Sequence, residues 1–397
     1  MNDVENTVRE TLARAAGRAP RLSAAAAEQL ERGYRRRRQR SQALLAAVAA
    51  AAVAGGGVLG VRIGDEQGPS PSVNPLSVPS AMITKAVDMP KPIGKVWPQA
   101  LHKLPQKDGE GRKLNAAVLI DDHMVLLIAS RGFERNEAIY TYDLAGKKLR
   151  KIADLPTSKG SETFPADFRV GDGQIVWWTA SKEFRRIWTV PLTGGEVRQV
   201  VEEKVGGNTR GFDLAGGKVA FSAMEGGVFT VPLTGGAVTP VEGGAGLHLL
   251  TWPWAGSPAD PGASAPYTHL VNLETGESSS ALVKEGEQLY ACGVRSCTGT
   301  TKDGKAFTRQ RDGSQQKEIP VGYQIPEPPS QSRFHFRNMF DRPGIGLYDV
   351  DTGTFADLGI REEVASRGEV PRADRTGRFM SYHIKSGHYL IDLTKIP

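Results

Sequence analysis

The 397-residue chain has only two cysteines and seven histidines, and none of the histidines falls in an HExxH pattern. With so few soft ligands, a four-thiolate zinc centre and a helical zinc-protease site are both excluded. No GxSxG elbow, P-loop or dinucleotide fingerprint occurs in a strand-to-helix setting, so the common hydrolase and nucleotide-binding sites are missing as well. One Asp-Thr-Gly triplet stands at 351 to 353 without a second DTG or DSG, whereas aspartic proteases need two carboxylates sharing a proton. Charge is scarce in a different sense. Residues 1 to 40 hold ten arginines against five acids, which is +5 of the total +6, so the long remainder carries only +1. That remainder has no electrostatic footprint for nucleic acid.

What is present begins with Ser41 to Val61, SQALLAAVAAAAVAGGGVLGV, 21 positions without a charge. Such a length matches a bilayer core of about 30 Å at about 1.5 Å rise per residue, and the stretch is read as one transmembrane helix. Arg35 to Arg38 and Arg40 precede it and GDEQGPSPS follows, so the arginine excess puts the N-terminus in the cytoplasm and the C-terminal part outside. A cleaved signal peptide is the competing reading, but 40 residues before the apolar run is too long for one. The expected organisation is a cytoplasmic basic tail (1–40), a membrane helix (41–61), an extracytoplasmic Pro/Ser linker (62–84) and a large domain (85–397). Cys292 and Cys297, five positions apart in YACGVRSC, suit a hairpin disulfide in an oxidising compartment.

Of the chain's 46 glycines and 25 prolines, 38 and 20 punctuate residues 85–397, and they do so periodically. IWTVPLTGGEVRQV (187–200) returns as VFTVPLTGGAVTPV (228–241). Related hairpins are IYTYDLAGKKL, THLVNLETGES, FTRQRDGSQQ and IGLYDVDTGTF. Their turn glycines, Gly146, Gly194, Gly235, Gly276, Gly313 and Gly353, are spaced 48, 41, 41, 37 and 40 residues apart. Each hairpin has alternating apolar residues running into a tight turn, and each follows another strand pair such as DFRVGDGQIVWWTAS. Four strands per unit of about 40 residues is the period of a β-propeller blade. A seventh unit starts near Val370 and ends at HYLIDLTKIP without a return strand. KVWPQALHKLP (95–105) is expected to supply that strand and close the ring. The fold class is therefore all-β, a seven-bladed propeller, or six-bladed if 286 to 321 is a shortened insert.

In these repeats the chain resembles the WD-repeat and TolB-like propeller superfamily over residues 85 to 397, although it has no Trp-Asp dipeptide. The head, VENTVRETLARAAGRAP followed by RLSAAAAEQLERGYRRRR, resembles the short cytoplasmic tails of anchored sensor or anti-sigma-like proteins in actinobacteria. Val4, Val8 and Leu12 recur at helical spacing there. The resemblance implies, for the sensor alternative, a cytoplasmic regulator such as a sigma factor as partner of the tail. The tail lacks the His and Cys of zinc-binding anti-sigma domains.

Within the repeat frame, Asp351-Thr352-Gly353 and the Asp121-Asp122 pair read as hairpin turns. His383 and His388 fall on separate strands of SYHIKSGHYLI, which reads as packing, so no metal ligand and no cofactor is assigned. Exposed Trp and Arg are the residue types of binding hot spots. Trp252 and Trp254 in the loop TWPWAGSPADPGASAP, and Arg333, Phe334, His335, Phe336 and Arg337 in SRFHFRNMF, are the candidate ligand-binding residues. The expected function is non-enzymatic: a membrane-anchored extracytoplasmic scaffold for a protein, peptide or cell-envelope ligand. A transmembrane sensor and a metal-dependent propeller hydrolase or lyase are the alternatives.

Overall fold

The computed structural model describes residues 90–397 apart from 133–134, 157–164, 181–183, 205–208, 215, 258–265, 320–332, 339–343, 362–370 and 375–376. The tail, membrane helix and linker expected over 1–84 lie outside the described residues. Among those described, no helix is long and apolar enough to cross a membrane.

Seven four-stranded sheets make a seven-bladed β-propeller. Blade 1 uses Lys113–Leu119, Met124–Ser130, Asn136–Asp143 and Lys148–Asp154; blade 2 uses Ala166–Gly171, Gln174–Ala180, Arg185–Pro191 and Arg198–Glu203. Blade 3 is Thr209–Leu214, Lys218–Ala223, Val228–Pro232 and Thr239–Pro240, and blade 4 is His248–Thr251, Trp254–Ser257, His269–Asn272 and Ser278–Ser280. The segment that left six blades open as an alternative forms a full blade 5: Gln288–Cys292, Ser296–Thr300, Ala306–Gln310 and Lys317–Glu318. First strands of blades 1 to 4 touch one another in turn, which places them innermost.

One backbone hydrogen bond recurs in every blade and sets the strand phase. The residue after the third strand donates to the carbonyl just before the second: Leu144 to His123, Leu192 to Gly173, Leu233 to Gly217, Leu273 to Pro253, Arg311 to Arg295, Val350 to Arg333 and Leu393 to Arg378. By this measure Phe334–Asn338, Ile345–Asp349 and Phe355–Ile360 are the second, third and fourth strands of blade 6. In blade 7, Phe379–Ile384 and Gly387–Asp392 are the second and third, after Arg372–Ala373.

Blade 7 takes its fourth strand from the N-terminal side of the domain. Leu101–Leu104 pairs antiparallel with the third strand, Leu101 opposite Ile391 and Leu104 opposite His388, which closes the ring as the sequence led us to expect. The segment also does something the repeat pattern did not disclose. Lys91–Pro92 pairs in parallel with the outer strand of blade 6, Lys91 opposite Ala356, so one stretch of chain finishes two blades. Between its two strands a single helical turn, Ile93–Val96, lowers Ile93, Trp97 and Ala100 into the core shared by blades 6 and 7. Trp97 meets the Phe334 ring edge-on at 6.3 Å. What looked like one return strand is two short strands with an apolar plug between them.

Cores lie between blades. Adjacent residues of a strand point to opposite sheet faces, so Trp177 packs against Leu126 and Ile139 of blade 1 while Trp178 packs against Phe212 and Phe221 of blade 3. Both indoles are buried. Gly211 shows how close the inner strands run: a Cβ there would lie 2.2 Å from the Leu249 carbonyl of blade 4. Of the turn glycines, Gly194, Gly235, Gly276, Gly313 and Gly353 have positive φ, but in blade 1 the left-handed residue is Lys147 (φ 53°) and not Gly146.

The duplicated PLTGG turns have an inter-blade role. Arg150, on the outer strand of blade 1, donates to the carbonyls of Thr193 (2.9 Å) and Leu192 (3.1 Å) in the blade 2 turn. Arg198, on the outer strand of blade 2, donates likewise to Thr234 (3.2 Å) and Leu233 (2.6 Å) in blade 3. The turn is written twice because each copy must present the same carbonyls to the blade before it.

Candidate functional site

In an antiparallel blade the first-to-second and third-to-fourth turns share one end, and the second-to-third turns lie at the other. Trp252 and Trp254 flank the first-to-second turn of blade 4, whose Trp252–Pro253 peptide is cis. Trp254–Ser257 then carries the chain to the opposite end before residues 258–265. The stretch read from sequence as one loop bearing two tryptophans is therefore divided: the indoles belong to one end and the Pro-rich part departs from the other. Residues 258–265 lie outside the described residues.

At the tryptophan end, polar groups of three blades meet. Asp213, closing the first strand of blade 3, accepts at Oδ2 from Thr251 Oγ1 (2.8 Å) and from the Trp252 backbone N–H (3.0 Å). Its Oδ1 accepts from the Leu214 N–H and stands 3.7 Å from Arg169 Nε of blade 2. The Trp252 indole donates to Glu274 Oε1 at 2.9 Å. Asp172 of blade 2 accepts from the Gly217 N–H of blade 3 at 2.8 Å. Asp172, Trp252 and Glu274 sit on turns, and Arg169 and Asp213 on the first strands that lead into them, so the belt is a set of fixed hydrogen-bonding groups with an indole beside it. Asp172 and Glu274 are exposed, and Trp252 is half-buried.

The second candidate cluster is mostly interior. Arg333 makes a bidentate pair with Asp349 (2.7 and 2.6 Å), donates to the Pro397 carbonyl, and lies 4.9 Å above the Phe334 ring. Burial pushes the Asp349 carboxyl up, but the Arg333 bonds and the Thr352 hydroxyl outweigh it and hold it below the usual range. Arg333 is raised in return, first by the Asp349 hydrogen bond. Phe334 is buried in the core of blades 6 and 7, and Phe336 is half-buried against it. His335 points to the other face of its strand, where burial pushes it down to about 4 and its Nε2 has no partner. The Arg337 side chain lies outside the described residues. Of this group, the structure brings Arg333 and Phe334 together as part of the seam between blades.

Asp349 also explains the DTG triplet. Its Oδ1 accepts from the Asp351 N–H and its Oδ2 from Thr352, the same turn that Asp143 and Asn272 build in blades 1 and 4. Asp121 caps the His123 and Met124 N–H groups, and Asp122 pairs with Arg378 and Lys395 of blade 7, tying the first blade to the last. His383 and His388 sit opposite each other on adjacent strands with rings stacked at 3.9 Å. His388 is fully buried, bonds the Pro105 carbonyl through Nδ1, and is pushed by burial down to about 4. Among the described residues, no group of three or more His, Cys, Asp or Glu side chains converges as a metal site would require. The sulfurs of Cys292 and Cys297 are 2.12 Å apart across the first hairpin of blade 5.

Two arginines escaped the sequence reading. Arg309 is buried, bidentate to Glu287 (3.0 and 2.7 Å), bonded to the Leu282 carbonyl and 4.5 Å from the Phe307 ring. Arg311 is buried with its guanidinium on the carbonyls of Tyr267, Thr268, Ser279 and Gly293. The available signal was FTRQR itself, two arginines spaced by two at the end of a strand that also buries Phe307.

No family model matches the chain, and no curated protein matches it. Among solved structures, it is similar to an oligogalacturonate lyase from Vibrio parahaemolyticus (TM-score 0.44, 11% identity, 74% of this chain and 91% of that one). It is also similar to the β-propeller domain of the Trilobed protease from Pyrococcus furiosus (TM-score 0.42, 13% identity, 70% and 95%) and to the C-terminal WD40 domain of Sif2 (TM-score 0.40, 13% identity, 75% and 85%). Enzymes and non-enzymes both occur among such structures. The seven sheets themselves define the architecture.

Proposed function

We propose that the chain is a membrane-anchored, extracytoplasmic propeller that binds a protein, peptide or cell-envelope ligand without performing chemistry on it. The observation that carries this reading is the belt of Arg169, Asp172, Asp213, Trp252 and Glu274. Fixed polar groups beside an indole, at one end of three neighbouring blades, are what a binding surface uses to set orientation and specificity. The extracytoplasmic placement is supported by the arginine-flanked apolar run at 41–61 and by a cysteine pair at bonding distance, which an oxidising compartment would keep as a disulfide.

A photo-crosslinking residue at position 274, compared with one at the exposed Glu225 in the second-to-third turn of blade 3, at the opposite end of the ring, tests the belt in cells. Adducts with envelope components from 274 alone are expected; equal adducts from both positions, or none, would overturn the assignment. A single cysteine placed at the exposed Ser278 tests the compartment, because an impermeant maleimide should reach it in intact cells. Labelling only after lysis would refute the extracytoplasmic reading. Running the same capture without residues 1–34 separates scaffold from sensor, since a sensor would lose a cytoplasmic regulator with its tail.

A further inference from the structure

The segment that closes the ring also carries a concentration of positive charge. Residues 90–113 contain six basic side chains (Lys91, Lys95, Lys103, Lys107, Arg112, Lys113) and two acidic ones, a net of +4, whereas 114–397 have 32 basic and 34 acidic residues. The folded body is thus slightly negative, and its positive excess sits on this one strap.

The geometry keeps that excess on the surface. Lys91 is exposed at the outer edge of blade 6, and Lys95 is exposed on the helical turn whose other side buries Ile93. Lys103 is the exposed residue of the strand that forms the outer edge of blade 7. Lys107 and Lys113 are opposite each other in a β-bridge that leads into blade 1, and both are exposed. The two acids of the strap itself, and the one beside its first strand, are paired with other groups. Asp108 is buried against Arg112 (2.7 Å), which also bonds Tyr140, and Glu110 is shared by Arg112 (3.1 Å) and Lys151 (3.9 Å). Asp357, beside the Lys91–Pro92 strand, is bidentate to Arg361. Among the described residues, Lys91, Lys95, Lys103 and Lys107 form no ion pair.

We infer that this strap is a docking strip for an anionic phospholipid surface. The inference rests on the anchor reading above, because the strap is the first part of the propeller to follow residues 41–61 and the linker, and the tether delivers it to the bilayer. Lysines near an anionic leaflet each contribute roughly fivefold in affinity, an effect that works only within a Debye length of the headgroups. Docking through the outer edges of blades 6 and 7 leaves the turn ends of the ring clear of the lipid. The belt around Trp252 would then remain open to its ligand while the strap rests on the membrane.

The test uses the full chain reconstituted into vesicles of neutral phosphatidylcholine or of phosphatidylcholine with phosphatidylglycerol. Amine-reactive labelling of each lysine is then read by mass spectrometry. Lys91, Lys95, Lys103 and Lys107 should label several-fold more slowly on the anionic vesicles than on the neutral ones, while Lys218 and Lys302 of blades 3 and 5 should not change. The difference should vanish in 1 M salt, where the Debye length falls to about 3 Å. Equal labelling of the strap on both vesicles, with the chain retained through an alkaline carbonate wash, would overturn the docking strip and leave the anchor intact. Loss of the chain from neutral vesicles in that wash would refute the anchor, and the docking strip with it.

Discussion

Blades 2 and 3 are joined to their predecessors by the same device, an arginine from the outer strand of one blade laid on the turn carbonyls of the next. Blade 5 is seated differently. Its own apolar cluster is small, centred on Leu289, Cys292, Cys297 and Phe307, and its links to blade 4 run through buried Arg309 and Arg311. Where neighbouring sheets press apolar faces together, as at Trp177 and Trp178, the arginine clamp is an accessory on the rim. Where the apolar contact is thin, guanidinium groups go inside, and each is met by several carbonyl or carboxylate acceptors that offset the loss of water. Blades 6 and 7 show a third solution, an apolar plug delivered by the strap.

The comparison can be broken first at the plug. Trp97→Ala removes a buried indole from the core of blades 6 and 7 and is expected to cost about 3–5 kcal/mol in urea unfolding, with the closing strand released. A loss under about 1 kcal/mol would mean the strap is not what closes the ring. Next comes the charged interior. Glu287→Gln leaves Arg309 buried without its countercharge and with one of its two acceptors turned into a donor, and is expected to cost about 3–5 kcal/mol, whereas replacing both residues together with apolar ones should cost much less. Glu287 is held below the usual carboxylate range, chiefly by its hydrogen bonds from Arg309, so its carboxylate stays ionised at neutral pH.

A pH titration separates the same regions more gently. His335 of blade 6 and His388 of blade 7 are both pushed down to about 4 by burial, so they stay neutral in the fold while the unfolded chain takes up protons below about 6.5. Their folded values are depressed, and for a base this means stability that is present above pH 6.5 and lost as pH falls toward 4. At about 1.4 kcal/mol per pH unit the loss is about 3 kcal/mol for each histidine by pH 4. Urea midpoints at pH 7, 5 and 4 check this, and His335→Phe should flatten its share of the slope.

The smallest effects belong to the regular blades. Arg150→Ala and Arg198→Ala should each cost under about 1 kcal/mol, because the guanidiniums are largely solvated, and the two losses should add, since they act on different turns. A coupling well above about 0.5 kcal/mol would show that the clamps act as one unit.

The sequence by itself determined the blade repeat, the number of turns and the need for a closing strand. Those follow from hydrophobic alternation and turn glycines, which act over a few residues and so are written locally. Adjacent Trp177 and Trp178 are both core for a related reason, because a propeller sheet is covered on both faces. Only the tertiary structure decided what the polar residues do. Arg333 looked like a hot spot until Asp349, 16 positions away, was seen to hold it. TWPW and the Pro-rich run after it looked like one loop until a four-residue strand carried them to opposite ends. Arg309, Arg311 and the second strand of the strap went unread for the same reason: their partners are remote in sequence, and no local spacing encodes which carbonyl or carboxylate the fold will bring to a given side chain.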